Sequence, residues 1–357
     1  MNHRQRVHAT LHNAPTDRVP VALWRHFPKD DLTSEGLAAR IVEFQRKFDF
    51  DMVKVTPASG YPAEMYGATF RTPDPGSPRA LEGTREYVSR PVNALNDWDK
   101  IAPLDNTNFV FQREVAALKM IRQQLGDDVP IMQTIFSPLY CVQNLAGAER
   151  LHADMRAHPD SVHRALKSLT ETMARFAEAS LRAGADSIFF ATQMATRKQF
   201  SEDDFRAFGE AYDVQVIQAI RAAKADFILL HIHGFDIYFE RLARWDVDML
   251  NWHDRRTAPS LKQARAMLRH SDSWSDKESR STPGEILRSA HASRDKVIVG
   301  GLNEWDTLAK RSREQVIAEA RDALMQAAGR GFVLGAGCVI PVDTPEENIR
   351  AVIEAVR

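Results

Sequence analysis

The sequence has little cysteine, no excess of charge of either sign and no long apolar run. Only Cys141 and Cys338 occur among 357 residues, which is too few for a disulfide framework. The 47 basic and 48 acidic residues give a net charge of −1, which predicts no attraction for nucleic acid or anionic lipid. No stretch reaches membrane-spanning length, and the first residues lack the apolar core of a signal peptide. We therefore expect a cytoplasmic protein that acts on a small molecule or another protein.

Short apolar runs alternate with longer stretches of helical periodicity along the chain. This pattern is typical of parallel strands that are buried on both faces and joined by crossover helices. Eight such runs are present, at residues 19–24, 52–56, 130–136, 187–191, 227–233, 247–252, 296–301 and 332–336. They predict an α/β protein in which residues 1–357 form a single (β/α)8 TIM barrel.

Two stretches interrupt this alternation. Residues 57–108 are rich in Pro, Gly and Asn and are too long for an ordinary strand-to-helix connection. They predict an excursion over the mouth of the barrel after the second strand. Residues 271–293 are polar and punctuated by Gly and Pro, which predicts an insertion that serves as a lid, a partner contact or only a tolerated loop.

Three side chains at strand ends have the chemistry of a metal site. His231 and His233 are two apart on the strand at 227–233, so they project from the same face. Cys338 follows the last predicted strand and lies at the same rim, where barrel active sites are found. Three such donors with one open position are typical of catalytic zinc. The alternative is that the imidazoles are hydrogen-bonded in the core and Cys338 is a small buried apolar residue, as we interpret Cys141.

Other polar residues at strand ends are candidates for substrate binding. The guanidinium of Arg25 matches a carboxylate or phosphate bidentately, although a structural ion pair is the alternative. Lys54, Gln133 and Gln193 fall near the ends of the second, third and fourth strands. Each of these three is expected either to contact substrate or to belong to the polar layers that fill barrel interiors.

The sixth strand is followed by a candidate acid and base pair. His253 and Asp254 stand where the strand at 247–252 ends, which predicts a position near the barrel mouth. Either residue is a candidate for the catalytic acid or base. The alternative is an aspartate that only orients the histidine.

Several segments resemble the uroporphyrinogen decarboxylase and corrinoid methyltransferase superfamily, in the order that the superfamily has them. They are Arg-Val-Pro-Val at 18–21, Ala-Gly-Ala-Asp at 183–186, Ser-Glu-Asp-Asp-Phe at 201–205, His-Ile-His-Gly at 231–234, Gly-Gly-Leu-Asn at 300–303 and Gly-Cys-Val-Ile-Pro-Val-Asp at 337–343. The resemblance implies that Arg25 points into the cleft. It also implies a zinc held, as in the methyltransferases, by a His-x-Cys pair after the fifth strand and a Gly-Cys after the eighth. His231 and Cys338 match this pattern, but His233 replaces the first cysteine.

Three departures argue against porphyrinogen decarboxylation. The decarboxylases carry Met-Arg-Gln-Ala-Gly-Arg after the first strand, whereas here Arg25 is followed by His-Phe-Pro-Lys. Their aspartate after the second strand is absent from Val-Thr-Pro-Ala-Ser-Gly at 55–60. Their Gly-His-Gly after the eighth strand corresponds here to Gly-Ala-Gly-Cys at 335–338. The resemblance therefore favours the methyltransferase-like members.

The resemblance implies a zinc-dependent methyltransferase that moves a methyl group between a corrinoid, such as methylcobalamin on a separate corrinoid protein, and a small acceptor such as a thiol or folate. Because imidazole at residue 233 makes the site less soft, thiol methylation is less well supported. A zinc-dependent lyase or hydrolase on a small carboxylate-bearing substrate remains open, as does a non-catalytic role in binding a corrinoid or tetrapyrrole. Barrels often form homodimers through outer helices, but no stripe in the sequence identifies such a surface.

Overall fold

A computed structural model of the chain describes residues 1–269, 296–327 and 330–357. All eight predicted strands form, and two further strands lie in the excursion. The strands are β1 (Val21–Ala22), β2 (Val53–Val55), β3 (Thr69–Arg71), β4 (Glu86–Ser89), β5 (Ile131–Phe136), β6 (Ser187–Thr192), β7 (Ile228–Ile232), β8 (Met249–Trp252), β9 (Val297–Leu302) and β10 (Phe332–Ala336). The polar insertion predicted at 271–293 lies outside the described residues.

Helices connect and surround these strands. They are α1 (His3–Leu11), α2 (Ser34–Phe48), α3 (Tyr61–Glu64), α4 (Pro78–Glu82), α5 (Phe109–Leu125), α6 (Pro138–Ala146), α7 (Ala148–Ala157), α8 (Pro159–Arg182), α9 (Glu202–Asp204), α10 (Ala211–Ala222), α11 (Phe239–Leu242), α12 (Leu261–Arg269), α13 (Arg313–Ala327) and α14 (Glu346–Glu354). Short 3-10 turns occur at Asp30–Leu32 and Leu95–Lys100, and π-helical turns at Phe205–Glu210 and Glu304–Leu308. Within the described residues, no helix has the length and apolarity needed to span a membrane.

All strands except β3 and β4 form one parallel sheet of eight strands, which curls into a nearly closed barrel. Their order is β1, β10, β9, β8, β7, β6, β5, β2, so β1 and β2 meet at a seam without a hydrogen-bonded ladder. Asp51 joins the two sides of this seam, because its N–H donates to the Val21 carbonyl at 2.8 Å and its carboxylate accepts from the Val21 N–H at 2.7 Å. The predicted barrel is therefore confirmed, with one polar residue closing it.

Side chains alternate between two apolar layers along each strand. Met132, Phe189 and Val299 point into the barrel, where they form one core cluster with Val7 of α1, which closes the bottom. Their strand neighbours, such as Ile188, pack against the outer helices in a second and larger cluster. Burying each such side chain contributes about 1.5–3 kcal/mol. This alternation decides which residues at the strand ends can reach the mouth.

The excursion at 57–108 folds into a small unit of its own rather than an irregular loop. It contains α3, α4 and the antiparallel pair β3 and β4. Arg85 fastens this unit, since its guanidinium donates to the Ser59 carbonyl at 2.7 Å and to the Glu64 carboxylate at 2.8 Å. Two further contacts hold the excursion against the barrel: Glu64 accepts from Arg113 of α5 at 3.1 Å, and the Leu81 carbonyl accepts from the Val342 N–H at 2.8 Å.

Candidate metal centre and its cavity

Four potential metal ligands meet at the carboxyl ends of β7, β8 and β10. His231, His233, His253 and Cys338 offer donor atoms that all lie within 4.8 Å of one another. The Cys338 Sγ is 3.6 Å from His231 Nε2 and 3.7 Å from His233 Nδ1. The His253 Nε2 is 3.3 Å from His233 Nδ1. The structure therefore brings together the three predicted ligands and adds His253, for which the sequence indicated an acid or base role.

The strand register explains why His253 joins the cluster. In the parallel pair of β7 and β8, His231 lies opposite Asn251. Two residues further along, where side chains return to the same face, His233 and His253 follow in equivalent positions. The sequence shows that each histidine follows a strand, but it does not give the register between them.

The hydrogen bonds around Asn251 fix the tautomer of His231. The Asn251 Nδ2 donates to the Val299 carbonyl at 2.9 Å and to the Ala336 carbonyl at 3.0 Å. Its Oδ1 therefore faces His231 Nδ1 at 2.6 Å and must accept the proton of that nitrogen. The Nε2 of His231 is left with a lone pair that faces Cys338. A ligand histidine whose other nitrogen donates to a fixed acceptor is the usual arrangement at metal sites.

His253 is oriented in the same way by Glu304. The Glu304 Oε1 accepts from His253 Nδ1 at 2.8 Å and from Arg256 Nη1 at 3.3 Å, and the carboxylate is 1% exposed. Burial by itself raises the pKa of Glu304, but the hydrogen bond from His253 and the charge of Arg256 hold it below its ordinary value. Glu304 begins a π-helical turn, a feature frequent at functional sites. Sequence reasoning missed this residue, although it is the first acidic residue after β9.

The electrostatics of the cluster suit a bound cation. Burial, followed by the neighbouring imidazoles, lowers the pKa of His231 well below its ordinary value and that of His233 to about 3. Both rings are therefore neutral at pH 7, with lone pairs available. Burial also raises the pKa of the Cys338 thiol above its ordinary range. Nitrogen and sulfur donors that converge in this way, with the outer nitrogens of His231 and His253 held by Asn251 and Glu304, fit zinc.

A cavity of ≈ 370 Å³ opens beside this cluster, within the size range of small-molecule sites. His231, His233 and Cys338 form part of its wall. The excursion supplies another part, which agrees with its predicted place over the mouth. The other lining residues are Trp24, His26, Lys54, Thr56, Pro57, Ser59, Gly60, Pro78, Arg79, Glu82, Thr84, Arg85, Tyr87, Thr134, Phe136, Tyr140, Phe189, Ala191, Gln193, Trp305 and Val339.

Two of the predicted substrate contacts, Lys54 and Gln193, line this cavity. Lys54 is buried, its Nζ donates to Thr56 Oγ1 at 3.1 Å, and it lies 4.7 Å from the centre of the Phe189 ring. Burial lowers the pKa of Lys54 to about 7, although the nearby Cys338 opposes this shift. A buried amine of this kind gains most from an anionic ligand.

Arg25 does not line the cavity, in contrast to the orientation that the resemblance implies. Its Nη1 donates to the Val342 carbonyl at 2.8 Å, and its guanidinium lies 5.3 Å from the centres of the Phe27 and Phe44 rings. The next residue, His26, lines the cavity instead and is buried. The alternation after β1 therefore directs residue 26, and not residue 25, towards the mouth.

Gln133 and Asp254 also lie away from the cavity. Gln133 shares its strand face with Ile131 and Ile135, which pack against the helices. Asp254 turns behind β9, where its Oδ1 accepts from the Gly301 N–H at 3.0 Å, and burial raises its pKa to about 7. These placements give neither side chain a contact with a ligand in the cavity.

Comparison with known proteins agrees with this architecture. Residues 2–357 match the family described as "Uroporphyrinogen decarboxylase (URO-D)". A uroporphyrinogen decarboxylase from Anaeromyxobacter dehalogenans is 25% identical over 280 residues, which cover 75% of this chain and 70% of that protein. The methylcobamide:CoM methyltransferase MtaA of Methanosarcina barkeri is 26% identical over 240 residues, covering 67% and 61%.

The fold is also found in a solved structure, a methyltransferase from Methanosarcina mazei. It superposes with a TM-score of 0.76 at 20% identity, covering 99% of this chain and 98% of that one. Identity this low supports the common fold alone. Together with the family match over nearly the full length, it leads to one conclusion: the chain belongs to the uroporphyrinogen decarboxylase (URO-D) family.

Proposed function

We propose that the protein is a zinc-dependent methyltransferase that moves a methyl group between a corrinoid, carried by a separate corrinoid protein, and a small acceptor. The observation that carries this proposal is the convergence of His231, His233 and Cys338 on one wall of a cavity of small-molecule size. The relative named methylcobamide:CoM methyltransferase and the methyltransferase fold support it. The three departures from the decarboxylase motifs favour methyl transfer over decarboxylation.

In this proposal His231, His233 and Cys338 hold the zinc. A zinc ion supplies a Lewis acid that lowers the pKa of the acceptor's reacting group. The two imidazoles are neutral at pH 7 and need to lose no proton, whereas Cys338 gives up its thiol proton on binding. We therefore expect metal affinity to rise with pH.

His253 acts as the proton acceptor for the acceptor substrate. Its Nδ1 proton is held by Glu304, so its Nε2, which lies 3.3 Å from His233 Nδ1, carries the lone pair on the side of the cluster. The buried carboxylate then stabilises the imidazolium that forms, as an orienting acid does in catalytic triads. Glu304 is thus a positioning residue, and Asp254 takes no part in the proposal because it faces the Gly301 N–H.

The transfer is a single displacement at the methyl carbon. The acceptor's nucleophilic atom forms a bond to that carbon while the carbon–cobalt bond of the methylated corrinoid substrate breaks, and the electron pair stays on cobalt. The proton of the acceptor goes to His253. The buried wall around Trp24 and Phe189 excludes water from the reacting atoms.

A zinc-dependent lyase or hydrolase is the second candidate, and the donor set is the observation that favours it. Three imidazoles and a single thiol surround the site. Zinc sites rich in histidine are well suited to activating water or polarising a carbonyl. His253 would then take its proton from water. The two candidates differ in whether methylcobalamin is consumed.

The experiment that tests the proposal measures zinc per chain and methylcobalamin demethylation by the reconstituted protein. Acceptors are offered as a panel of thiols, tetrahydrofolate and hydroxylated aromatic acids. We expect Cys338→Ala to lose both zinc and activity, and Cys141→Ala, which removes a buried thiol of the outer core, to keep both. A protein that takes up no zinc overturns the proposal. Zinc uptake without methylcobalamin consumption on any acceptor supports the lyase or hydrolase instead.

A variant at residue 253 separates the role of a base from that of a ligand. We expect His253→Ala to keep its zinc and to lose activity by about 10²–10⁴-fold, the usual contribution of general base catalysis. Glu304→Gln is expected to lower kcat and to shift the pH profile of kcat, with KM little changed. Loss of zinc from His253→Ala would instead make this residue a fourth ligand.

A further inference from the structure

One side of the cavity carries polar atoms that have no partner within the described residues. They are the Trp24 Nε1 and the His26 Nδ1, both buried and both belonging to side chains that line the cavity. The indole nitrogen is a donor only, so a ligand must offer it an acceptor. A buried donor without a partner destabilises the free protein, and a bound acceptor would relieve that cost.

Lys54 adds a buried amine on this side, and an anion bound beside it would favour the charged form. Its only side-chain hydrogen bond is to Thr56, and no carboxylate forms an ion pair with it in the described part of the chain. Glu82 is the one carboxylate in the cavity lining, and burial raises its pKa. A lysine and an indole N–H together form a subsite for an anionic group.

Aromatic rings connect this anion subsite to the metal cluster. Phe189 lies edge-on to Trp24 with ring centres 5.3 Å apart, and it stacks on the ring of His231 at 5.4 Å. A second aromatic pair, Phe136 and Tyr140 at 4.9 Å, lines the same cavity. Flat apolar walls between an anion site and a metal site suit a planar ring that bears one group at each end.

The donor set selects the atom that meets the metal. With three imidazoles nearby and only Cys338 as a thiolate ligand, the site keeps more positive charge than one with two thiolates. Thiolate-rich sites suit soft sulfur, whereas a site with more imidazole and more charge suits an oxygen anion better. The reacting atom of the acceptor is therefore expected to be oxygen.

From these four features we infer that the acceptor is a hydroxylated aromatic acid, a phenol that carries a carboxylate. This inference rests on the proposed function and deepens it. Lys54 and Trp24 bind the carboxylate, the ring lies along Phe189, and the hydroxyl faces the cluster. The phenolic oxygen forms a bond to the methyl carbon, the carbon–cobalt bond breaks with its electron pair left on the corrinoid cobalt, and the phenolic proton passes to His253.

The test uses protein reconstituted with Co²⁺, whose visible absorption reports on ligands at the metal, together with calorimetric binding. The probes are 3-hydroxybenzoate, benzoate, which lacks the hydroxyl, and 3-mercaptopropionate, which has a thiol and no ring. We expect 3-hydroxybenzoate to change the Co²⁺ bands and to bind at least about ten-fold more tightly than either of the others. Benzoate is expected to leave the bands unchanged.

Variants test the anion subsite separately. Lys54→Met should weaken 3-hydroxybenzoate binding by about ten-fold or more while Co²⁺ content stays at one per chain in the same preparation. Lys47→Met, at an exposed lysine on α2, is the matched control and should change neither. Tighter binding of 3-mercaptopropionate, or no effect of Lys54→Met, overturns the inference and leaves the methyltransferase standing. A protein that takes up no Co²⁺ removes both.

Discussion

Both ends of the barrel bury ionisable groups, but these groups differ in the partners that surround them. At the bottom, the fully buried Asp51 accepts from Arg6 at 2.6 Å, from Arg18 at 2.6 Å, from the Val21 N–H at 2.7 Å and from His3 at 2.9 Å. Every oxygen of this carboxylate has a charged or backbone donor. Burial alone raises the pKa of Asp51, yet these hydrogen bonds hold it below its ordinary value.

At the mouth, the inward-facing polar atoms of the cluster contact one another rather than charged partners. His231, His233 and Cys338 bring nitrogen and sulfur lone pairs together, and Lys54 has no carboxylate beside it. The bottom is therefore complete in the protein alone, whereas the mouth is completed only by a metal and an anionic ligand. This difference is typical of barrels, in which the bottom face stabilises and the top face carries the chemistry.

The largest expected effect is at the bottom. Asp51→Ala should lower the free energy of unfolding by about 3–5 kcal/mol, because it leaves the buried Arg6 with only the exposed Asp17, removes the carboxylate that pairs with Arg18 and weakens the seam between β1 and β2. Because the folded-state pKa of Asp51 is lowered, its contribution is present above about pH 4 and is lost as the pH falls through that folded value. Urea unfolding of the metal-free protein measures both.

Asp17→Ala provides the matched control. Asp17 also pairs with Arg6, but it is far more exposed, at 43% of its side chain. Exposed ion pairs contribute about 0–1 kcal/mol, so this variant should be nearly as stable as the wild type. If the two variants lose equal free energy of unfolding, the burial of Asp51 does not determine how much it contributes to stability.

The next largest expected effect is the gain in the free energy of unfolding when zinc binds at the mouth. Zinc at about 100 times its Kd should stabilise the wild type by about 2.7 kcal/mol, because it binds only the folded chain. Cys338→Ala should lose this gain, while its metal-free stability stays within about 1 kcal/mol of the wild type. Cys141→Ala should keep the gain. A large loss of stability in metal-free Cys338→Ala would show that the mouth is structural like the bottom.

Another buried carboxylate, Asp213 on α10, forms no ion pair with an arginine within the described residues. Burial raises its pKa well above the ordinary value. Wild-type stability should therefore fall as the pH rises from about 4 towards the folded-state pKa, by up to about 1.4 kcal/mol per pH unit. Asp213→Asn should remove this slope and be the more stable protein at pH 7 and above.

The control for this titration is Asp203→Asn. That carboxylate is exposed and lies on α9, which is separated from α10 by the π-helical turn at Phe205–Glu210. It should leave the dependence of unfolding on pH unchanged. If Asp213→Asn follows the wild-type curve, the carboxylate at 213 does not stay protonated in the folded state, and the contrast with Asp51 loses its basis.

The barrel could be predicted from the sequence because its strands leave a strong pattern. Runs such as 227–233 and 332–336 are apolar on both faces. The first appears as β7, one residue shorter at each end, and the second appears as β10 with the predicted bounds. The run at 19–24 shortens to Val21–Ala22, since Pro20 has no N–H for a ladder. The seam at Asp51 and the hairpin of β3 and β4 left no comparable signal.

The site was predictable in part, for geometric reasons. His231 and His233 are two residues apart on one strand, so the sequence alone predicts that their side chains share a face. The approach of His253 and Glu304 depends on the register of β7, β8 and β9, which no single segment encodes. At Arg25 the resemblance gave the wrong face, because the chain beyond the short β1 directs His26 inward.

The smallest expected effect concerns this last residue. Arg25→Met keeps the apolar contact with Phe27 and Phe44 and loses one hydrogen bond to the Val342 carbonyl, so it should cost about 1 kcal/mol of stability. The KM for the acceptor should stay within about two-fold of the wild type, since a residue outside the cavity makes no contact that binding can lose. Lys54→Met, inside the cavity, should raise KM by about ten-fold or more in the same assay. A rise of that size in Arg25→Met would mean that its guanidinium swings into the mouth when the acceptor binds, and the division between the two faces of the strand ends would then hold only for the free protein.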